Sequence, residues 1–225
     1  GFGSEHLRLI PTDPVDRSLD VEALGAAVAH DIEQGITPAG LVVCAGTTGT
    51  TAFDAIGPAT GVARAAGMWV HLDAAMAGSA LLLDECRHLF DGIEEVDSIS
   101  WNPHKWMGTV LDCSMFLVRD PAWLRSVMSS EASYLASHLG GTEPEVIEYK
   151  DWGIPLGRRF RALKLWFHLS IDGPDAIRER LRRDMENARW LALRVEAEPG
   201  WDLVAPVQLQ TVCVRHGAGA ALAPK

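Results

Sequence analysis

A basic excess is missing from this sequence. Its 225 residues carry 20 Lys and Arg against 30 Asp and Glu, a formal net charge of −10, which argues against nucleic acid and anionic membrane as partners and leaves small molecules as the better fit. Long apolar runs are missing too: no stretch reaches the span of a bilayer, and residues 1–20 lack the basic flank and apolar centre of a signal peptide. A cytoplasmic protein is the expectation. Cysteine is scarce, and Cys44, Cys86, Cys113 and Cys213 are too dispersed for a zinc motif and too few to staple a chain of this size. They read as reduced thiols, mostly buried, and no metal site is expected. Repeats are absent, and the only biased segment is a short Ala/Gly tail. With 48% hydrophobic residues, the chain can bury one large core rather than several small modules.

What is present alternates between strand and helix signals, the pattern of an α/β domain with a largely parallel sheet. Residues 41–45, Leu-Val-Val-Cys-Ala, form a short apolar run that feeds the polar loop Gly46-Thr-Thr-Gly-Thr50, as a buried parallel strand does. Residues 58–67 read as a helix closed by glycine, and 68–72 as the next strand with Asp73 at its tip. Further strands are expected at 98–101, 113–118 and 212–215. Helices are expected at 155–170, with Leu156, Phe160, Leu163, Trp166 and Phe167 on its apolar face, and at 174–198, whose many charges read as a solvated face. Ligands of open α/β sheets bind beyond the carboxyl ends of the strands, so Thr48, Asp73 and Asn102 should converge on one crevice.

The chemistry concentrates in two segments, His71-Leu-Asp-Ala-Ala75 and Asn102-Pro-His-Lys-Trp106, with Lys105 following Asp73 by 32 residues. A strand-ending carboxylate followed at this distance by a lysine in Asn-Pro-His-Lys-Trp is what pyridoxal phosphate requires: one group for the pyridinium nitrogen, one amine for the aldehyde. Taken singly, Asp73 reads as a helix cap and Lys105 as a surface lysine. His71 shares a strand face with Asp73, and either orients it or is a satisfied core histidine. Thr48 either supports the carboxylate or simply ends its strand. Residues 129–142, rich in serine with a glycine pair, have the composition of a mobile lid.

These segments, with Arg8-Leu-Ile-Pro-Thr-Asp13, Gly46-Thr-Thr48, Asp112-Cys-Ser114, Ser133-Tyr-Leu135 and the block from Asp151 to Trp166, make the chain resemble the pyridoxal-phosphate-dependent aromatic L-amino acid decarboxylases over nearly its whole length. The resemblance implies a fold-type I (aspartate aminotransferase-like) large domain over residues 1–170, with a linking helix and the start of an α+β small domain over 171–225. It implies a homodimer with the active site at the interface. It makes Lys105 the cofactor lysine, Asp73 the pyridinium partner and Ala75 the small residue packed against the ring. Asn102 and His104 fall near the phosphate, and Tyr134 in the lid becomes the proton donor to Cα. Gly157 sits where family members that take bulky aromatic substrates tend to have glycine, and Arg158 and Arg159 either support the cofactor or meet a neighbouring subunit. Met76 departs from the tyrosine common at its position, which weakens transfer of substrate contacts but not of the cofactor site.

The resemblance also implies a longer enzyme, since family members carry a preceding segment with a dimer-forming region, a serine- and alanine-rich phosphate turn and a ring-stacking histidine, and continue into a complete small domain. Three further readings stay open. One is an aromatic aldehyde synthase, which usually has phenylalanine at the loop tyrosine, so that Tyr134 counts against it. The second is a decarboxylase of another amino acid such as glutamate. The third is a catalytically silent piece of an enzyme.

Overall fold

Four short strands build the central sheet of the structure, a computed structural model that describes residues 3–129 and 148–217. Strands β1 (Gly40–Cys44), β2 (Trp69–Asp73) and β3 (Ser98–Trp101) run parallel in that spatial order, and β4 (Met115–Val118) joins β3 antiparallel at the edge. Parallel neighbours need crossovers. Helix α2 (Ile56–Ala65) makes the first, and two stretches of 3₁₀ helix, Ala77–Leu82 and Asp84–Phe90, make most of the second. Helix α1 (Val21–Glu33) precedes the sheet and begins where the Asp20 carboxylate accepts the Ala23 amide hydrogen, satisfying one of the first-turn donors.

Alternation along the strands decides which face is core. Leu41, Val43, Val70 and Leu72 are buried, whereas Val42 between the first two is 64% exposed. The buried face packs with Leu24, Ile56, Ala59 and Ala63 from α1 and α2. A buried carboxylate locks the sheet's entry side: Asp97 accepts the Val70 amide at 2.7 Å and the Arg64 guanidinium at 2.9 Å. Because Asp97 is paired on both oxygens, its burial is compensated.

Helix α3 (Pro121–Met128) follows β4, and the shorter α4 (Ala162–Ile171) leads into α5 (Gly173–Ala197). The last of these runs within a residue of the span expected from sequence. Its Ile177, Leu181, Met185, Ala188 and Ala192 recur at helical spacing and are buried, and the first three belong to the same apolar cluster as Val43, Leu72 and Phe90. Two short antiparallel strands, β5 (Trp201–Leu203) and β6 (Val214–His216), end the described chain. No helix among the described residues is long and apolar enough to cross a membrane.

Two expectations need correcting. Residues 155–161 do not continue α4 backwards; the helix starts at Ala162. Gly157 weakens that turn and no side chain caps it, while Leu156 and Phe160 are exposed, so there is no buried face to offset the cost of ordering it. Arg161 instead turns to Asp112, its Nε donating to Oδ2 at 2.9 Å. Among the cysteines, all free, only Cys86 and Cys113 are buried, and Cys44 and Cys213 are half-buried.

Because Leu181 is fully buried and Leu193, on the same helix, is 66% exposed, the two test how α5 contributes. Leu181→Ala should cost about 2–5 kcal/mol in urea unfolding, and Leu193→Ala no more than about 0.5 kcal/mol. Equal, small losses would mean that α5 is not part of the core.

Candidate active site

The site is laid out by strand register. Parallel pairing sets Cys44 beside Asp73 and Asp73 beside Ser100, and the antiparallel pair adds Phe116. Paired residues share a face, so these four make one row at the carboxyl end of the sheet, on the side away from the α1–α2 core. The next row holds Val42, His71, Ser98 and Val118. Asp54 fixes the end of β1, one oxygen accepting the Leu19 amide and the other the Cys44 amide, both at 2.7 Å. Gly46 then turns the chain with φ +78°, and a Cβ there would stand 2.4 Å from that of Ala77, so only glycine lets the loop lie this close to the following crossover.

Asp73 is oriented by its own strand end. The Ala75 amide donates to Oδ1 at 3.0 Å and the Ser100 hydroxyl reaches the same oxygen at 3.5 Å. Ala75 in turn accepts the Asn102 amide at 3.0 Å, and the Asn102 carbonyl accepts the Lys105 amide at 2.9 Å. A continuous backbone path thus links the aspartate's loop to the lysine's.

The lysine loop is clamped from outside the sheet. Arg180 on α5 donates to the Trp106 carbonyl at 3.2 Å and also to that of Met107, and the Trp106 indole donates to Asp184 at 3.1 Å. Thr109, buried, has its hydroxyl 2.8 Å from His168 Nδ1 on α4. Gly108, at φ +83°, sits beneath the Arg180 guanidinium, 3.0 Å from where a Cβ would be. His104 Nδ1 lies 2.7 Å from the Cys113 carbonyl oxygen and 3.1 Å from its amide nitrogen, which ties the loop to the approach of β4. These contacts make the loop rigid. Lys105 itself remains exposed.

Of the three lysines among the described residues, two are committed. Lys150 pairs with Glu148 and Asp151, and its pKa is raised by them; Lys164 is held by Asp112. Lys105 makes neither an ion pair nor a side-chain hydrogen bond within the described residues. Its charge is felt at the Cys44 thiol. Burial, then the negative charges of Asp73 and Asp54, push that thiol up to about 12, with Lys105 pulling the other way. One half-buried sulfur therefore senses both groups singled out by the sequence. Burial also pushes the His71 imidazole below its ordinary range, against the opposing pull of Asp73.

Backbone bonds link the segment of Asp73 and Ala75 to that of Asn102 and Lys105, and His71 lies on the Asp73 face. Thr48 is not a support for the carboxylate. It is exposed and makes no hydrogen bond to Asp73, because the threonine loop closes on itself: Thr47 Oγ1 accepts the Ala52 amide and meets Thr50 Oγ1 at 3.0 Å. Tyr134 and nearly all of the serine-rich segment lie outside the described residues. Asp54, Ser98, Ser100, His168, Arg180 and Asp184 were not singled out by sequence. Among the described residues no group of His, Cys, Asp and Glu could hold a metal ion.

The raised Cys44 pKa has a direct chemical consequence. A thiol is nucleophilic as its anion, so Cys44 should resist iodoacetamide from about pH 7 to about pH 10, and Asp73→Asn, which removes the larger of the two repelling charges, should speed its labelling. Peptide mapping by mass spectrometry reads both. Rapid labelling of Cys44 in the parent at neutral pH would contradict the environment described.

The model of the pyridoxal-dependent decarboxylase conserved domain matches residues 2–216. Aromatic-L-amino-acid decarboxylase of Drosophila lebanonensis is 40% identical over 95% of this chain and 52% of its own length. Phenylacetaldehyde synthase of Petunia hybrida is 38% identical over 96% of this chain and 42% of its own. Among solved structures, Oryza sativa TDC with PLP and tryptamine superposes with a TM-score of 0.92 at 38% identity, over 98% of this chain and 45% of that one. The chain spans about half the length of the relatives it matches. These likenesses bear out the fold-type I class and give pyridoxal 5'-phosphate as the cofactor. This chain belongs to the pyridoxal-dependent decarboxylase family.

Proposed function

We propose that this chain supplies the cofactor lysine and the pyridinium partner of an enzyme that decarboxylates an aromatic L-amino acid to its amine and carbon dioxide. The observation that carries the reading is an uncommitted amine, Lys105, on a rigid loop beside an oriented carboxylate, Asp73. The residues fit the cofactor chemically. A bound pyridoxal phosphate would supply the electron sink for the bond broken at Cα.

Asp73, with Oδ1 fixed by the Ala75 amide, would hold the proton on the pyridine nitrogen and so keep the sink strong. Lys105 would attach to the aldehyde carbon through Nζ, and the clamp on its loop would aim that nitrogen. Ala75, small and half-buried, would leave room for the ring, while Asn102 and His104 would border the phosphate. Gly157, with no atom within 4 Å of where its Cβ would be, is compatible with a roomy aromatic pocket. Tyr134 would return the proton to Cα. The reading carries with it a cytoplasmic homodimer with the active site at its interface, a small amino acid as substrate, and a linking helix and small-domain start from residue 171.

The phenylacetaldehyde synthase likeness supports a second reading on the same residues. There the substrate would lose carbon dioxide and, with one oxygen and one water consumed, give aldehyde, ammonia and hydrogen peroxide. Tyr134 would separate the two, because a proton held there and delivered promptly to Cα would leave no opening for oxygen.

Replacing Lys105 by Ala should abolish amine formation, a loss of at least ~10³-fold, with unfolding unchanged. Near-normal turnover would remove Lys105 from the chemistry. Tyr134→Phe should shift product from amine toward aldehyde and peroxide when assayed in air. An unaltered amine yield without peroxide would make Tyr134 a packing residue.

A further inference from the structure

His71 stands at the centre of a chain of side chains that runs across the open face of the sheet. The Trp69 indole Nε1–H donates to Ser98 Oγ at 2.9 Å. Ser98 Oγ lies 2.8 Å from His71 Nδ1, His71 Nε2 lies 3.3 Å from Ser100 Oγ, and Ser100 Oγ reaches Asp73 Oδ1 at 3.5 Å. Strand register makes this possible, since His71 lies between the two serines of the neighbouring strand, beside Ser98 and one pleat from Ser100.

The two ends of this path fix its direction. An indole nitrogen can only donate and an ionised carboxylate can only accept. The links Trp69 to Ser98, Ser98 to His71, His71 to Ser100 and Ser100 to Asp73 therefore satisfy every hydrogen in one arrangement alone. Ser98 accepts from Trp69 and donates to Nδ1, the neutral imidazole carries its hydrogen on Nε2 and donates to Ser100, and Ser100 donates to Asp73. With the hydrogen on Nδ1, the hydroxyl of Ser98, which is 2% exposed, would lose its acceptor, and Ser100 would be drawn toward Nε2 and away from the carboxylate. Leaving a buried hydroxyl unpaired costs more than a typical bond gains. Phe116 stacks on the imidazole, centroids 6.0 Å apart and planes 23° from parallel, which opposes a ring flip. Burial disfavours the doubly protonated ring, although Asp73 favours it.

We propose that Trp69, Ser98, His71 and Ser100 form a one-way hydrogen-bond chain that locks His71 in the Nε2–H form and positions the Asp73 carboxylate. These are positioning residues, with no contact to substrate required. The functional half of the proposal rests on the assignment of Asp73 as pyridinium partner; the direction of the chain does not. Each donor polarises the next, so the chain delivers a stronger hydrogen bond at Asp73 than an isolated serine would. Other charges near Asp73 sit on neighbouring elements, Asp54 after β1 and Lys105 after β3, and all three act on Cys44.

Two measurements decide it. In protein labelled with ¹⁵N-histidine, long-range proton–nitrogen spectra at neutral pH should show His71 protonated at Nε2 and bare at Nδ1, and Ser98→Ala should release that preference. Protonation at Nδ1, or at both nitrogens, overturns the chain. Ser100→Ala, the variant at the longest link, should weaken pyridoxal phosphate binding by roughly tenfold with the unfolding midpoint unchanged, and Ser100→Thr should restore it. Parent-like binding by Ser100→Ala overturns the positioning role. If the parent shows the expected tautomer yet takes up no pyridoxal phosphate, the direction of the chain stands and the assignment of Asp73 fails.

Discussion

The parallel register of β1, β2 and β3 is the constraint on which the candidate site depends. It sets Cys44, Asp73 and Ser100 in one row, with His71 in the row behind. Because side chains alternate strictly along a strand, a slip of one residue in β2 would turn Asp73 and His71 toward the core and expel Val70 and Leu72. Those two residues are fully buried. Hydrophobic burial therefore holds the aspartate in place even though the aspartate contributes nothing to it. The Asp97 bond to the Val70 amide sets the same register by a polar route.

The second group, Lys105, is positioned by another principle. It lies on no strand. Its loop leaves the end of β3, is tied back to the Asp73 loop through Asn102 and Ala75, and is gripped on its far side by Arg180 and Asp184 of α5. The stripe of α5 that carries Leu181 is core, and the neighbouring stripe carries the clamp. Folding energy and the aim of the lysine thus meet on one helix. A rigid loop with an uncommitted amine suits a residue whose nitrogen must be placed accurately while remaining chemically free.

Much of this was legible in the sequence because it lies in local patterns. The apolar runs gave β1 and β2, the Asp73 strand tip followed from them, and the Asn-Pro-His-Lys-Trp block marked the lysine loop. What was not legible depends on contacts distant in sequence. Arg180 and Asp184 looked like part of a solvated charged face, since nothing local says that this turn of α5 faces residues 106 and 107. Ser98 and Ser100 carry no local signal, since only the pairing of β2 with β3 brings both hydroxyls within reach of His71. Thr48 answers to the second of its two readings, the end of a strand: it is exposed, and the loop's hydroxyl contact joins Thr47 to Thr50. The start of α4 was misplaced because apolar spacing continues through residues 156–160 while the burial that would support a helix does not.

The central claim is that Lys105 is the amine that takes the cofactor. The sequence has four lysines, Lys105, Lys150, Lys164 and Lys225, so a single trapping experiment can distinguish them. Incubating the protein with pyridoxal phosphate, reducing with borohydride, digesting and sequencing the modified peptide by mass spectrometry should find the pyridoxyl group on Lys105, with Asp73→Ala lowering its yield. Modification confined to another lysine, or none above that of unfolded protein, would contradict the assignment.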